Sequence, residues 1–187
     1  MGMPLVDRDL SLTDHEGTFL ALVLRIQPVT AYLVSKIYDG SPVSNFNTSK
    51  GKIYPLIRRL AERGLLLKQV VEGDARGTEQ LSCTAAGEEA VRAWVKEIRP
   101  GHLLLEDPLR TKVQSFDLLT ERERIEWILE TRQLLTAQVE ALERYEEGVS
   151  VPFKAFVHDN AMRSIRARIE WLDAMLRALP RNDTATR

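Results

Sequence analysis

The chain has 187 residues, a formal net charge of −1, 44% hydrophobic residues and one cysteine. That length fits one large domain or two small ones, the apolar fraction is ordinary for a globular protein, and no apolar run approaches the roughly 18 residues of a membrane-crossing helix. The opening Met1-Gly-Met-Pro-Leu-Val-Asp-Arg-Asp9 has no secretory apolar core, and Cys83 alone excludes an internal disulfide, so a cytoplasmic protein without membrane contact is expected.

The first helix is expected to begin at Thr13, because Thr13-Asp-His-Glu16 has the spacing of a capping box. Phe19, Leu20, Val23 and Leu24 continue it at helical spacing, and Gln27-Pro28 ends it, since the residue before proline disfavours helical angles. A second short helix fits Thr30 to Tyr38 with Leu33, Val34 and Ile37 inward, and Asp39-Gly-Ser-Pro42 marks a turn. The third helix starts near Thr48 or Ser49 and stops at Gly64, a residue suited to a left-handed cap. Its face Ile53, Leu56, Ile57 and Leu60 is predicted to be buried, while Gly51, Lys52, Pro55, Arg58 and Arg59 lie on the other side or its edges. Pro55 conflicts with a helix interior, because it removes one backbone hydrogen bond.

Leu65 to Glu72 and Thr78 to Thr84 read as two strands around the turn Gly73-Asp-Ala-Arg-Gly77, with Cys83 buried, and Thr84 is placed to cap a fourth helix through Ile98. Charge is distributed unevenly. Between Asn45 and Lys68 stand Lys50, Lys52, Arg58, Arg59, Arg63 and Lys68 against a single Glu62, a local balance of +5. Acidic residues collect between Glu121 and Glu147. A basic helix feeding a β-hairpin is the layout of a winged helix-turn-helix, whose third helix enters a DNA major groove. The plainer alternative is a solvated helix face.

Beyond Pro100-Gly101 the pattern is helical. A short element covers about Asp107 to Leu118, and Thr120-Glu-Arg-Glu123 is a second capping box. Ile125, Ile128, Leu135, Val139 and Leu142 then recur at three- and four-residue steps, interrupted by Arg132. Gly148 and Pro152 separate this helix from a last one, where Met162, Ile165, Ile169, Leu172, Leu176 and Leu179 keep a heptad repeat. Two such helices retain an apolar edge that a second copy can cover, and two-fold symmetry suits a palindromic DNA site. The six heptad residues are therefore the candidate dimer interface; folding back onto the winged domain is the alternative. The expected fold is mainly α with a small β-hairpin: a winged helix-turn-helix over residues 1–98, then an α-helical dimerisation domain over 99–187.

These residues resemble the PadR family of bacterial transcription regulators. The likeness is carried by Tyr32-Leu-Val34, by Ser49-Lys-Gly-Lys-Ile-Tyr-Pro55, by Arg59-Leu60 and Gly64-Leu65, and by Leu81-Ser-Cys-Thr84-Ala-Ala-Gly87. The segment ending Glu170-Trp-Leu-Asp-Ala-Met-Leu-Arg-Ala-Leu179 is similar to longer members with an AphA-type helical dimerisation domain. The resemblance covers roughly residues 15 to 180. It implies a homodimer on double-stranded DNA, repression as the commoner output, and a small aromatic or lipophilic effector as a further partner. Three departures stand out: Ala31 where the family usually has glycine, a wing whose Ala75-Arg-Gly-Thr-Glu-Gln80 offers only Arg76 as a cation, and Ser-Cys-Thr in place of a Tyr-x-Leu-Thr segment.

Candidate DNA contacts are Ser49, Lys50, Lys52, Tyr54, Arg58 and Arg76, through phosphate or base edges. Ser49 doubles as a cap and Tyr54 as a packing residue; of the adjacent arginines, Arg58 is preferred for the contact. Trp94, Phe116 and Trp127 are candidates for an effector pocket between the winged domain and the C-terminal helices, with core packing the heavier alternative. Catalysis finds no support: His15, His102 and His158 are scattered, no zinc spacing or phosphate-cradling glycine loop occurs, and no cofactor is expected. The rival reading is a winged-helix protein-interaction module that does not bind DNA.

Overall fold

Residues 10–42, 50–71, 77–145 and 152–179 are described by a computed structural model. The chain divides into two compact units, Met1–Leu103 and Leu104–Arg187. In the first, α1 (Asp14–Ile26) begins as expected. The Thr13 hydroxyl accepts from the Glu16 amide, and the Glu16 carboxylate reaches back to the Thr13 amide. Gln27 leaves helical angles at ψ 148°, as its position before Pro28 requires. Thr30 caps α2 (Ala31–Asp39) by accepting from the Leu33 amide. The inward face of α2 differs from expectation. Val34 and Tyr38 are buried and Leu33 is exposed, because the Tyr38 ring fills the inner face and its hydroxyl donates to the Thr18 carbonyl at 3.2 Å. Burial pushes the Tyr38 phenol well above its ordinary pKa.

The next helix, α3 (Lys50–Glu62), contains Pro55 on its exposed side. Ile53, Leu56, Ile57 and Leu60 are buried together, as their spacing demands. Its end is a two-bond left-handed cap: Gly64 takes φ +72°, the Leu65 amide donates to Leu60 and the Gly64 amide to Ala61. The expected start of this helix at Thr48 or Ser49 lies outside the described residues.

The hairpin strands are β2 (Leu66–Val70) and β3 (Glu79–Cys83), antiparallel with Leu66 opposite Cys83 and Val70 opposite Glu79. A third strand, β1 (Val29–Thr30), pairs with the other edge of β3, giving the order β1-β3-β2. Two residues between helices carry no strand period, so this pairing is not legible locally. Thr84 joins three elements: its amide donates to Leu65, its hydroxyl donates to the Gly64 carbonyl, and that oxygen accepts from Gly87 at the start of α4 (Ala85–Lys96). Cys83 is half-buried, and burial, then the Glu88 charge, push its thiol up to about 11. Packing of α4 on α1 depends on Gly17, where a Cβ would stand 2.3 Å from the Trp94 ring.

The second unit contains α5 (Pro108–Val113), capped by Asp107, and a short 3-10 turn over Phe116–Leu118. The Thr120 capping box opens α6 (Glu121–Arg144), and α7 (Lys154–Ala178) follows Phe153, which sits at φ 60°. Gly148, the expected separator, lies outside the described residues. Ile128, Leu135 and Leu142 of α6 cluster with Met162, Ile165 and Leu172 of α7. Arg132, the interruption in the α6 pattern, pairs with Asp173 at 2.7 Å.

Candidate nucleic-acid interface

The apolar stripe of α3 faces the core, and that fixes which of its side chains face outward. Lys52, Tyr54 and Arg58 are exposed, the Arg58 side chain by 77%. Arg58 makes only a loose helical pair with Glu62 at 3.8 Å, a contact weak enough in water to give way to a stronger anion. Arg59 is held differently. Its Nε lies 3.1 Å from Glu16, a carboxylate left only 5% exposed, and Arg63 approaches the same group at 3.5 Å. Burial pushes the Glu16 carboxyl up, but hydrogen bonds from the Thr13 amide, Arg59 and the Thr13 hydroxyl, with the Arg63 charge, outweigh it and hold the carboxyl below its ordinary value. Arg63 also donates to the Ser11 carbonyl. The capping glutamate of α1 thus ties two arginines, Arg59 and Arg63, to the start of α1. Arg59 and Arg63 belong to the frame, and Lys52 and Arg58 to the free surface.

Beside this surface lies a concavity of about 650 Å³ in the first unit. Thr30, Ala31 and Tyr32 form one rim, Tyr54, Pro55 and Arg58 a second, and Lys68, Thr78 and Glu79 the wing side. The two tyrosines are 68% and 59% exposed. A groove with outward phenols and cations supplies hydrogen-bond donors for phosphate oxygens and flat faces for sugars or bases. Tyr32, Lys68 and Glu79 were not among the sequence-derived candidates. Tyr32 and Lys68 were visible as residue types, but their meeting with Tyr54 depends on the sheet register.

Of the sequence-derived DNA candidates, Lys52, Tyr54 and Arg58 are exposed on α3, and Tyr54 and Arg58 also line the groove. Lys50 opens the described part of the helix; Ser49 and Arg76 lie outside the described residues. Among the effector-pocket candidates, Phe116 and Trp127 meet edge to face with centroids 5.0 Å apart in the second unit. Trp94 belongs to the first unit, where its ring covers Gly17 and its indole N–H donates to Asp14 at 3.1 Å. That bond, against slight desolvation and with help from His102 and Arg99, holds the Asp14 carboxyl below its usual range. Of the six heptad residues, Met162, Ile165 and Leu172 are buried within the chain, and Ile169, Leu176 and Leu179 are partly exposed around them.

No family model and no curated protein matches the chain. Solved structures do. Bacillus subtilis PadR in complex with operator DNA superposes with a TM-score of 0.74 at 18% identity, covering 90% of this chain and all of that one. The same regulator in complex with p-coumaric acid gives 0.69 at 16% identity, covering 88% and 97%. The PadR-like transcriptional regulator BC1756 from Bacillus cereus gives 0.71 at 18% identity, covering 91% and 98%. The chain therefore has the PadR fold, a winged helix followed by a C-terminal helical unit.

Proposed function

We propose that the chain is a PadR-type transcription regulator, a non-enzymatic cytoplasmic homodimer that binds double-stranded DNA and represses by occupying a palindromic operator. The observation that carries this reading is the division of labour on α3: Arg59 and Arg63 are tied to Glu16, while Lys52, nearer the start of the helix, and Arg58, on its outer face, stand exposed. A helix so anchored presents a preorganised cationic face, which saves the ordering cost of binding. Two copies place two such helices in successive major grooves, roughly 34–36 Å apart. Arg76, Ser49 and Lys50 extend the contact at its margins. The second copy covers the apolar edge that Ile169, Leu176 and Leu179 border on α7. A small aromatic or lipophilic effector tunes affinity by favouring one dimer geometry.

The test is a fluorescence titration of the full chain on DNA. Lys52→Ala combined with Arg58→Ala is expected to weaken binding by about one to two orders of magnitude at 0.1 M salt and to flatten the salt dependence by roughly 0.9 per lost phosphate contact. Sedimentation should report the same dimer for both proteins. A folded dimer that ignores DNA even at low salt would instead establish a protein-interaction module.

A further inference from the structure

Resting on the DNA-binding reading, we propose that the inner face of the wing carries a phosphodiester site that Glu79 occupies in the absence of DNA, so that Glu79 limits how tightly the wing grips a duplex. The strand register makes the case. Leu66, Lys68 and Val70 alternate onto one face of β2, opposite Cys83, Leu81 and Glu79 of β3. At the base of the hairpin this face is core, with Leu66 and Leu81 buried. Towards the tip the core ends, and Lys68 and Glu79 line the groove that Tyr32, Tyr54 and Arg58 also border. There the Lys68 ammonium lies 2.8 Å from the Glu79 carboxylate, with the side chains 36% and 44% exposed.

The surrounding donors are those that recognise a phosphate oxygen: an ammonium, a guanidinium and two exposed phenols. The acidic residue in their midst is a stand-in anion. An exposed pair of this kind is weak and readily exchanged, unlike the pairs that Arg59 and Arg63 make with the buried Glu16 carboxylate. A DNA phosphate arriving between α3 and the wing competes with the Glu79 carboxylate for Lys68. While Glu79 holds the ammonium, that charge neutralises no phosphate, so the wing adds little net attraction. This accounts for a wing that presents a lysine and still contributes almost no charge.

The experiment is fluorescence anisotropy on a random-sequence duplex, with the full chain and its Glu79→Gln, Lys68→Ala and doubly substituted forms, from about 0.05 to 0.3 M potassium chloride. Glu79→Gln should bind about eightfold tighter at 0.1 M salt, with a salt slope steeper by about 0.9, one additional phosphate neutralised. In the Lys68→Ala background the same substitution should leave the slope unaltered, because no cation is freed to displace a counterion. Equal affinity and slope for wild type and Glu79→Gln overturn the Glu79 proposal and leave DNA binding intact. A slope that steepens equally with and without Lys68 overturns the Lys68 site. Absence of binding by all four proteins at the lowest salt overturns the DNA-binding reading itself. Glu79→Ser should reproduce the gain, since the charge and not the side-chain shape is at issue.

Discussion

In the first unit every helix and strand sends side chains to one cluster, where Phe19, Leu20 and Val23 of α1, Val34 of α2, Leu60 of α3 and Leu81 of β3 are fully enclosed. In the second, α6 and α7 meet along one seam, and Leu118, Leu129, Leu134, Phe156 and Val157 remain exposed. The difference is geometric. Several elements arranged round a centre can each bury a whole apolar face, whereas two antiparallel helices share a single line of contact. The first unit therefore has the larger enclosed centre, although Leu33, Val70, Val95 and Ile98 remain exposed on it, and the second has a narrower core with apolar surface beside it. The proposed function assigns DNA recognition to the first unit and self-association to the second.

The largest effect is expected from Leu172→Ala. Leu172 is fully buried in the seam, and opening a cavity there should cost about 2–5 kcal/mol. Urea unfolding followed by circular dichroism should show the loss in the helical transition of the second unit. If a second copy covers that unit, its midpoint should rise with protein concentration while that of the first does not. Two midpoints that both ignore concentration would remove self-association from the comparison.

Glu16→Gln tests how the first unit closes. The carboxylate accepts from Thr13, Arg59 and Arg63, and weakening these charge-assisted bonds should cost about 1–3 kcal/mol. The pH dependence gives the sign. Because the folded-state pKa is depressed, the stabilisation is fully present above the unfolded glutamate value of about 4.3 and is lost as pH falls through the lower folded value. Denaturant midpoints measured between those limits should fall with acid in the wild type and fall less steeply in Glu16→Gln. Parallel curves would mean that Glu16 only caps its own helix.

How legible this was depended on how local the cause is. Both capping boxes, the buried face of α3 and the glycine cap at Gly64 follow from residues within a turn or two of one another, and the structure shows all of them. The β1 pairing was not readable, since Val29 finds Leu81 across the whole winged fold. The inward turn of Tyr38 in place of Leu33 has the same origin, because its hydroxyl partner, Thr18, sits on another helix. Within the candidate interface, residue types pointed to Lys52, Tyr54 and Arg58. Assigning Arg59 to the frame needed the position of Glu16, 43 residues away. A charge count cannot separate a cation that is free to bind from one already committed to a buried carboxylate.

The smallest effect compares one motif in the two settings. Thr13 and Thr120 make the same reciprocal cap, each accepting from the amide three residues on and receiving a glutamate at its own amide. The Thr120 box is exposed, and its Glu123 carboxyl is lowered by the Thr120 amide and hydroxyl alone. Replacing either threonine by alanine should cost about 1 kcal/mol as a loss of capping. Thr13→Ala should cost more, because the Thr13 hydroxyl also donates to the oxygen of Glu16 that Arg63 approaches. The excess, read as a difference in denaturant midpoints, measures how far the end of α1 is coupled to α3. Thr13→Ala should also loosen DNA binding slightly through the freed α3, whereas Thr120→Ala should leave affinity unchanged. Equal costs and equal affinities would reduce the Thr13 cap to a local device and leave the orientation of α3 to its apolar face alone.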